Sequence, residues 1–136
     1  MKKVIINGTE YRLIDIDFNG DNLKVFLTKG TYIFGGGLCI RSWIAEPGSK
    51  KIAFWDELSV NTFPKRLKKN EAAICRYTEE NGGAEIIRQL LDSVGAKRIS
   101  DMQRFNDMDA FIYDFTGVDI ETEEKNIDET KDIRFE

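Results

Sequence analysis

The 136-residue chain contains no histidine. That absence removes Ser-His-Asp and Cys-His catalysis, the usual zinc sites and the commonest general base near neutral pH. An enzyme built on this sequence would have to work through carboxylates, lysine, tyrosine or a hard metal ion. Cysteine is almost as scarce. Cys39 and Cys75 are the only two, lie in no Cys-x-x-Cys pair, and sit in the apolar settings Gly37-Leu38-Cys39-Ile40 and Ala73-Ile74-Cys75-Arg76. They read as free buried thiols behaving as small hydrophobes, with a disulfide between them left open. No run approaches the roughly 18 consecutive apolar residues of a membrane helix. The apolar stretch after Met1-Lys2-Lys3 is too short for a signal peptide before Asn7-Gly8-Thr9-Glu10 intervenes. The expectation is a cytoplasmic protein without membrane contact.

What is present describes one globular domain. The chain is 41% hydrophobic and 32% charged, with nine Phe, four Tyr and two Trp to fill a core. A chain of this length can bury that core without disulfides or metal. Charge is unevenly spread: residues 1–118 hold 17 basic and 16 acidic side chains, whereas residues 119–136 hold 3 and 8. The net charge of −4 therefore belongs to the end of the chain. The division expected is a single α+β domain over 1–118 and an acidic C-terminal tail over 119–136. The tail's apolar residues (Ile120, Ile127, Ile133, Phe135) look too few to add much core, so deleting it should move the melting temperature by only a few degrees. Three readings stay open for it: a solvated disordered end, a segment docking on a basic partner, or one folding back on the domain's own Lys65–Lys69 cluster.

The hydrophobic pattern predicts a mostly antiparallel sheet of about six to seven strands with one main helix near residues 82–94. Asn7-Gly8 is a strong hairpin signal and Asn19-Gly20-Asp21-Asn22 a second turn. Glu10 to Phe18 and Leu23 to Thr28 alternate as strands do. Thr31 to Phe34, Leu38 to Ala45, Ile52 to Thr62 and Ala72 to Tyr77 look extended, and Ala110 to Phe115 is the last strand. Ile86, Ile87, Leu90, Leu91 and Val94 recur at helical spacing, with Asn81 as a cap and Gly95 as the stop. One helix cannot cover both faces of a large sheet, so either the sheet curls or an apolar face waits for a partner.

Candidate sites are few. Gly35-Gly36-Gly37 lacks the Gly-Lys-Ser/Thr ending of a phosphate loop and reads as a bend in the sheet. Asn81-Gly82-Gly83 offers helix N-terminal amides to an anion, though capping alone explains it. Asp15 with Asp17, and Asp107 with Asp109, are spaced to share a strand face and could hold Mg²⁺, or simply form a solvated face. Lys65, Arg66, Lys68 and Lys69 form the one basic cluster, with Trp55 and Phe63 near in sequence. It is either a solvated basic turn or a surface for a partner. The overall acidity argues against nucleic acid as the sole partner.

The order of several segments resembles a known family. Asn7-Gly8-Thr9-Glu10-Tyr11 opens the chain, and Leu58-Ser59-Val60-Asn61 leads into a Pro-containing loop. Leu67-Lys68-Lys69-Asn70-Glu71-Ala72-Ala73-Ile74 follows, then Asn81-Gly82-Gly83-Ala84-Glu85 and a helix, and last Phe111-Ile112-Tyr113-Asp114-Phe115. This is similar to domain of unknown function 4313, small proteins of Gram-positive bacteria and their mobile elements. The resemblance spans about residues 1–117 and brings no catalytic residues; the Gly35–Glu46 region and the acidic tail look like additions to its pattern. It implies an accessory protein of a phage or mobile element.

The resulting expectation is a non-enzymatic protein without cofactor. It would bind a host or element protein by direct contact and inhibit a bacterial defence system in the manner of an anti-CRISPR protein. The residues nominated for that contact are Trp43, Trp55, Lys65, Arg66, Lys68 and Lys69, with Glu121, Glu123 and Glu124 of the tail. The alternative is a small-ligand or nucleotide-binding accessory domain using Asn81–Gly83, Tyr77, Arg76 and Lys97. A third reading is an Mg²⁺-dependent enzyme working through Asp15 and Asp17 or Asp107 and Asp109.

Overall fold

The computed structural model describes residues 2–75, 84–129 and 132–136. The chain begins with two hairpins closed by the same dipeptide. β1 (Lys3–Ile6) and β2 (Thr9–Arg12) are joined by Asn7-Gly8. β3 (Ile14–Phe18) and β4 (Asp21–Thr31) are joined by Asn19-Gly20. In both turns the Asn and the Gly have positive φ, between 49° and 86°, the geometry that matches the twist of the flanking strands. The alternation read across Glu10–Phe18 breaks at Leu13 and Ile14, two consecutive buried residues. There the chain leaves one sheet and enters another.

β4 continues antiparallel into β5 (Leu38–Glu46), and β5 into β6 (Lys51–Glu57), giving a four-stranded sheet in the order β3-β4-β5-β6. Between Ser42 and Trp43 the β5–β6 register slips: Trp43 faces Phe54 and Ser42 faces Asp56, which leaves Trp55 opposite no residue. At Leu58 the chain changes sheet again. β7 (Ser59–Val60), β8 (Glu71–Cys75), β10 (Gln103–Phe105) and β11 (Met108–Asp114) pair in the order β10-β11-β8-β7, and β9 (Lys97–Arg98) adds to β11. A third sheet is β12-β1-β2, where β12 is Ile133–Phe135.

The strand count is therefore corrected from six or seven to twelve among the described residues, in three sheets. Strands of two or three residues, such as β7, β9 and β12, are too short to show a period. The long Ile52–Thr62 run is two strands of different sheets divided by Leu58. The run at Thr31–Phe34 likewise ends as a strand at Thr31. Among the described residues the broad expectation of a mostly antiparallel sheet protein with one α-helix holds. α1 (Ala84–Val94) ends in two backbone bonds, Gly95 N–H to the Asp92 carbonyl (3.2 Å) and Ala96 N–H to the Leu91 carbonyl (3.0 Å), the double closure of a Schellman motif. The expected cap at Asn81 lies outside the described residues.

The four-stranded sheet is covered on both faces. On one, Ile14, Ile16, Val25, Leu27 and Ile40 pack with Ile87, Leu90 and Leu91 of α1 and with Ala72 and Ile74 of β8. On the other, Leu13, Phe26, Trp43 and Ala45 pack with Val4, Ile6 and Tyr11 of the small sheet. Aromatic rings run across that second face in a row: Tyr11 to Phe26 (5.1 Å between centroids), Phe26 to Trp43 (6.2 Å) and Trp43 to Phe54 (5.5 Å).

The segment 119–136, read from composition as a tail adding little core, supplies part of this cover. Ile120 is buried in the first core and Ile127, in a short 3-10 turn (Ile127–Glu129), in the second. β12 pairs with β1 through Val4↔Phe135, Ile5↔Arg134 and Ile6↔Ile133. The acids did not prevent this: Glu123 and Glu124 have partners within the domain and Glu121 is exposed, while Ile120 and Ile127 are buried. No helix among the described residues is long and apolar enough to cross a membrane.

Candidate functional site

Three loops meet at one corner of the molecule. The β4–β5 connection, residues 32–37, is held against the segment 61–67 by Leu67 N–H donating to the Gly35 carbonyl (3.1 Å) and Arg66 Nη1 donating to the Phe34 carbonyl (3.3 Å). The glycine run makes the approach possible. A Cβ on Gly35 would overlap Asn61 Oδ1, and one on Gly37 would come within 2.9 Å of Leu67 Cδ1 and 3.1 Å of the Glu71 carbonyl. The bend expected at Gly35–Gly37 is thus a seat for a second loop. The third loop joins β10 to β11: Asn106 Nδ2 donates to the Phe63 carbonyl (2.7 Å), and Lys65 Nζ donates to Gln103 Oε1 (3.0 Å) and lies 5.3 Å from the Phe105 ring centre.

This framework carries apolar side chains into solvent. Ile33 is 85% exposed, Phe34 63% and Phe63 51%, and the two phenylalanine rings lean on one another at 5.7 Å. Lys65, Arg66, Lys68 and Lys69 are exposed beside them in sequence. Exposed aromatics on a loop fixed by backbone bonds, with cations adjacent, mark a contact surface more than a folding requirement.

The other nominated residues disperse. Trp43 is corrected: it is 4% exposed, sandwiched in the aromatic row, with Nε1–H donating to Thr28 Oγ1 (3.0 Å), and it cannot touch a partner. Trp55 is half-buried against the helix-side core, edge-on to Phe18 at 6.4 Å, whereas its neighbour Phe54 is the residue that meets Trp43. Glu123 is engaged by its own domain, accepting from Arg41 Nη1 (2.8 Å) and Thr28 Oγ1 (3.0 Å). Glu124 accepts from Thr9 Oγ1 (3.2 Å), and its N–H donates to Tyr11 Oη (2.9 Å). Glu121 is exposed, with its carbonyl bonded to Lys29 N–H (3.1 Å). Sequence reasoning missed Ile33 and Phe34, which it placed in a strand. The available signal was the glycine run directly after Phe34.

A polar cluster lies behind the corner. Tyr32 Oη reaches Glu57 Oε2 (3.0 Å) and the Ser59 carbonyl (3.1 Å), Cys39 Sγ lies 3.4 Å from Glu57 Oε1, and Arg41 Nε donates to the same oxygen at 3.0 Å. Burial pushes both the Cys39 thiol and the Tyr32 phenol above their ordinary pKa, so both stay protonated at neutral pH. A thiol held in that form is a poor nucleophile, and the cluster reads as the polar cement of β5, β6 and β7. Cys39 and Cys75 are both free and buried.

The carboxylate pairs are surface features. Asp15 is exposed and bonded to Lys24 Nζ at 2.7 Å, while Asp109 accepts from Arg104 Nη1 at 3.2 Å. Among the described residues no group of three or more Cys, Asp and Glu is placed to hold a metal ion. The Asn81–Gly83 amides, Arg76 and Tyr77 lie outside the described residues, and Lys97 is exposed on β9. Comparison with family models, with curated proteins and with solved structures yields no match to this chain.

Proposed function

We propose that the chain is a non-enzymatic binding protein that acts by protein–protein contact through the corner formed by Ile33, Phe34, Phe63, Lys65 and Arg66. The observation that carries this reading is the pair of exposed phenylalanines on loops fixed by Leu67 N–H to Gly35 and Asn106 to Phe63. Loops of a self-sufficient domain have no need of three large apolar side chains in water. Held rigid, they lose little entropy on docking. The adjacent cations suit a partner face with an apolar centre and an acidic rim. The resemblance to domain of unknown function 4313 favours a phage or mobile element as the setting, and a component of a host defence system, such as a CRISPR effector, as the partner.

The test is affinity capture from nuclease-treated bacterial lysate with three baits: the parent chain, Phe34→Ser/Phe63→Ser and Lys65→Glu/Arg66→Glu. The parent should retain a defined host protein at moderate salt, and both variants should lose it while keeping the parent's melting temperature. Retention of nothing, or equal retention by all three, rejects the corner as the binding surface. Binding that disappears on nuclease treatment reassigns it to nucleic acid.

A further inference from the structure

Three clefts in the surface differ in how their charges are matched. The one lined by Lys2, Lys3 and Arg12 is also lined by Glu10, Asp119 and Glu121. The one lined by Arg41 is also lined by Glu57 and Glu123, both ion-paired to it. The third, about 310 Å³, has Lys29 and Lys69 and no carboxylate at all. Neither lysine's ammonium has a hydrogen-bond or ion-pair partner among the described residues. In a chain of net charge −4 this is a local excess of positive charge among the side chains that line one cleft.

The floor of that cleft is apolar. Ile40, Phe115 and Ile120 are buried members of the helix-side core, and Leu38 and Val118 are packed against it. Thr31, Asn70 and Thr122 add hydroxyl and amide groups at the rim. The walls are fixed by backbone bonds: Phe115 N–H to the Asn70 carbonyl (2.8 Å), Lys29 N–H to Glu121 (3.1 Å) and Glu123 N–H to Lys29 (3.0 Å). A preformed cleft that combines an apolar floor with convergent polar groups is a common form of small-molecule site, and its volume falls at the small end of the roughly 300–1,000 Å³ such sites span.

We propose that this cleft binds a small organic anion, its apolar chain or ring seated on Leu38, Val118 and the edges of Phe115 and Ile120, and its single carboxylate held by Lys29 and Lys69. A free inorganic anion would gain nothing from the floor, and a neutral apolar molecule nothing from the lysines. Lys69 thereby leaves the protein-contact cluster of Lys65 and Arg66 and belongs to the cleft. The proposal stands independently of the protein-contact reading, since Phe34 and Phe63 do not line the cavity.

The experiment is an amide-shift NMR titration of the full chain with octanoate, 1-octanol and inorganic phosphate. Octanoate should saturate shifts confined to Leu38, Ile40, Val118, Ile120 and their neighbours, with a dissociation constant at least about tenfold below that of octanol. Lys29→Gln/Lys69→Gln should erase that tenfold advantage, and Phe34→Ser/Phe63→Ser should leave it intact. Equal binding of octanoate and octanol overturns the proposal, as does an undiminished octanoate affinity in the double Gln variant. Phosphate binding as tightly as octanoate at the same residues, or no saturable shift at millimolar octanoate, overturns it as well.

Discussion

Ile127 offers the sharpest measure of whether the acidic segment is part of the fold. Its side chain is buried with Val4, Ile6, Tyr11, Phe26 and Trp43, across the face of the four-stranded sheet that α1 does not reach. Ile127→Ala leaves a cavity there, and such a truncation costs about 2–5 kcal/mol. At about 2.1 cal/mol/K of unfolding entropy per residue, a loss near 3 kcal/mol lowers the melting temperature by about 10 °C in a domain of this length. Glu123→Gln, which weakens the 2.8 Å pair with half-exposed Arg41, should cost only about 1 kcal/mol. Deleting everything after Val118 removes Ile120, Ile127, the Glu123–Arg41 pair and all three β12–β1 rungs together. That sum is comparable to the whole stability of a typical domain, about 5–15 kcal/mol, so the truncated chain should lose its cooperative transition. Near-UV circular dichroism during thermal and urea unfolding reads all three. If Ile127→Ala melts within about 2 °C of the parent and the truncated chain still melts cooperatively, the segment is the solvated tail its composition suggests, and the packing argument is wrong.

Two further outcomes follow from the loops and the polar cluster. Gly35→Ala should cost about 1–3 kcal/mol of overpacking, because Asn61 Oδ1 occupies the added methyl's place and also accepts the Phe63 N–H at 3.0 Å. Adding Asn61→Ala should return part of the urea midpoint, while Gly48→Ala, with nothing near its Cβ, should leave it nearly unchanged. Burial raises Cys39, Tyr32 and Tyr11 above their ordinary values of 9.0, 10.0 and 10.0. Their protonated forms are thus favoured by folding, and the associated stability is complete below about pH 8.5. It falls as pH rises past 9, by up to about 1.4 kcal/mol per pH unit for each group the unfolded chain releases first. Urea midpoints from pH 7 to 10.5 should show that decline, with a shallower slope in Tyr32→Phe/Cys39→Ser; a flat profile, or an unchanged slope in the variant, contradicts the assignment.

The features legible in the sequence are those decided within a few residues. Asn7-Gly8 and Asn19-Gly20 demand positive φ, and Gly95 stops α1 wherever the rest of the chain goes. What the pattern could not reveal is which sheet a strand joins. A period of two separates two faces, but Leu13 and Leu58 look like interruptions of a strand, and only the surrounding packing makes them crossings between sheets. The same limit governs the corner site. Trp43 and Phe34 are equally apolar letters in the same stretch, and one is buried while the other is in water because Gly35–Gly37 seats its loop on the 61–67 segment. Glu123 and Glu124 read as solvated charge, since nothing local announces Arg41 or Tyr11 more than 80 residues earlier as their partners.

The pairing of β1 with β12 also sets the order in which the molecule can be completed. Almost the whole chain lies between these neighbours, so their ladder is among the most non-local contacts possible, and such contacts form late. During synthesis the helix-side core cannot close before Phe115 and Ile120 have left the ribosome, and Phe26 and Trp43 wait longer still, for Ile127 and β12. Until then Val4 and Ile6 belong to a two-stranded ribbon with an open edge, the kind of surface that chaperones recognise and that joins chains wrongly when many are made at once. Overexpression at low temperature with a holdase present should therefore improve yield more than added salt or a reducing agent does.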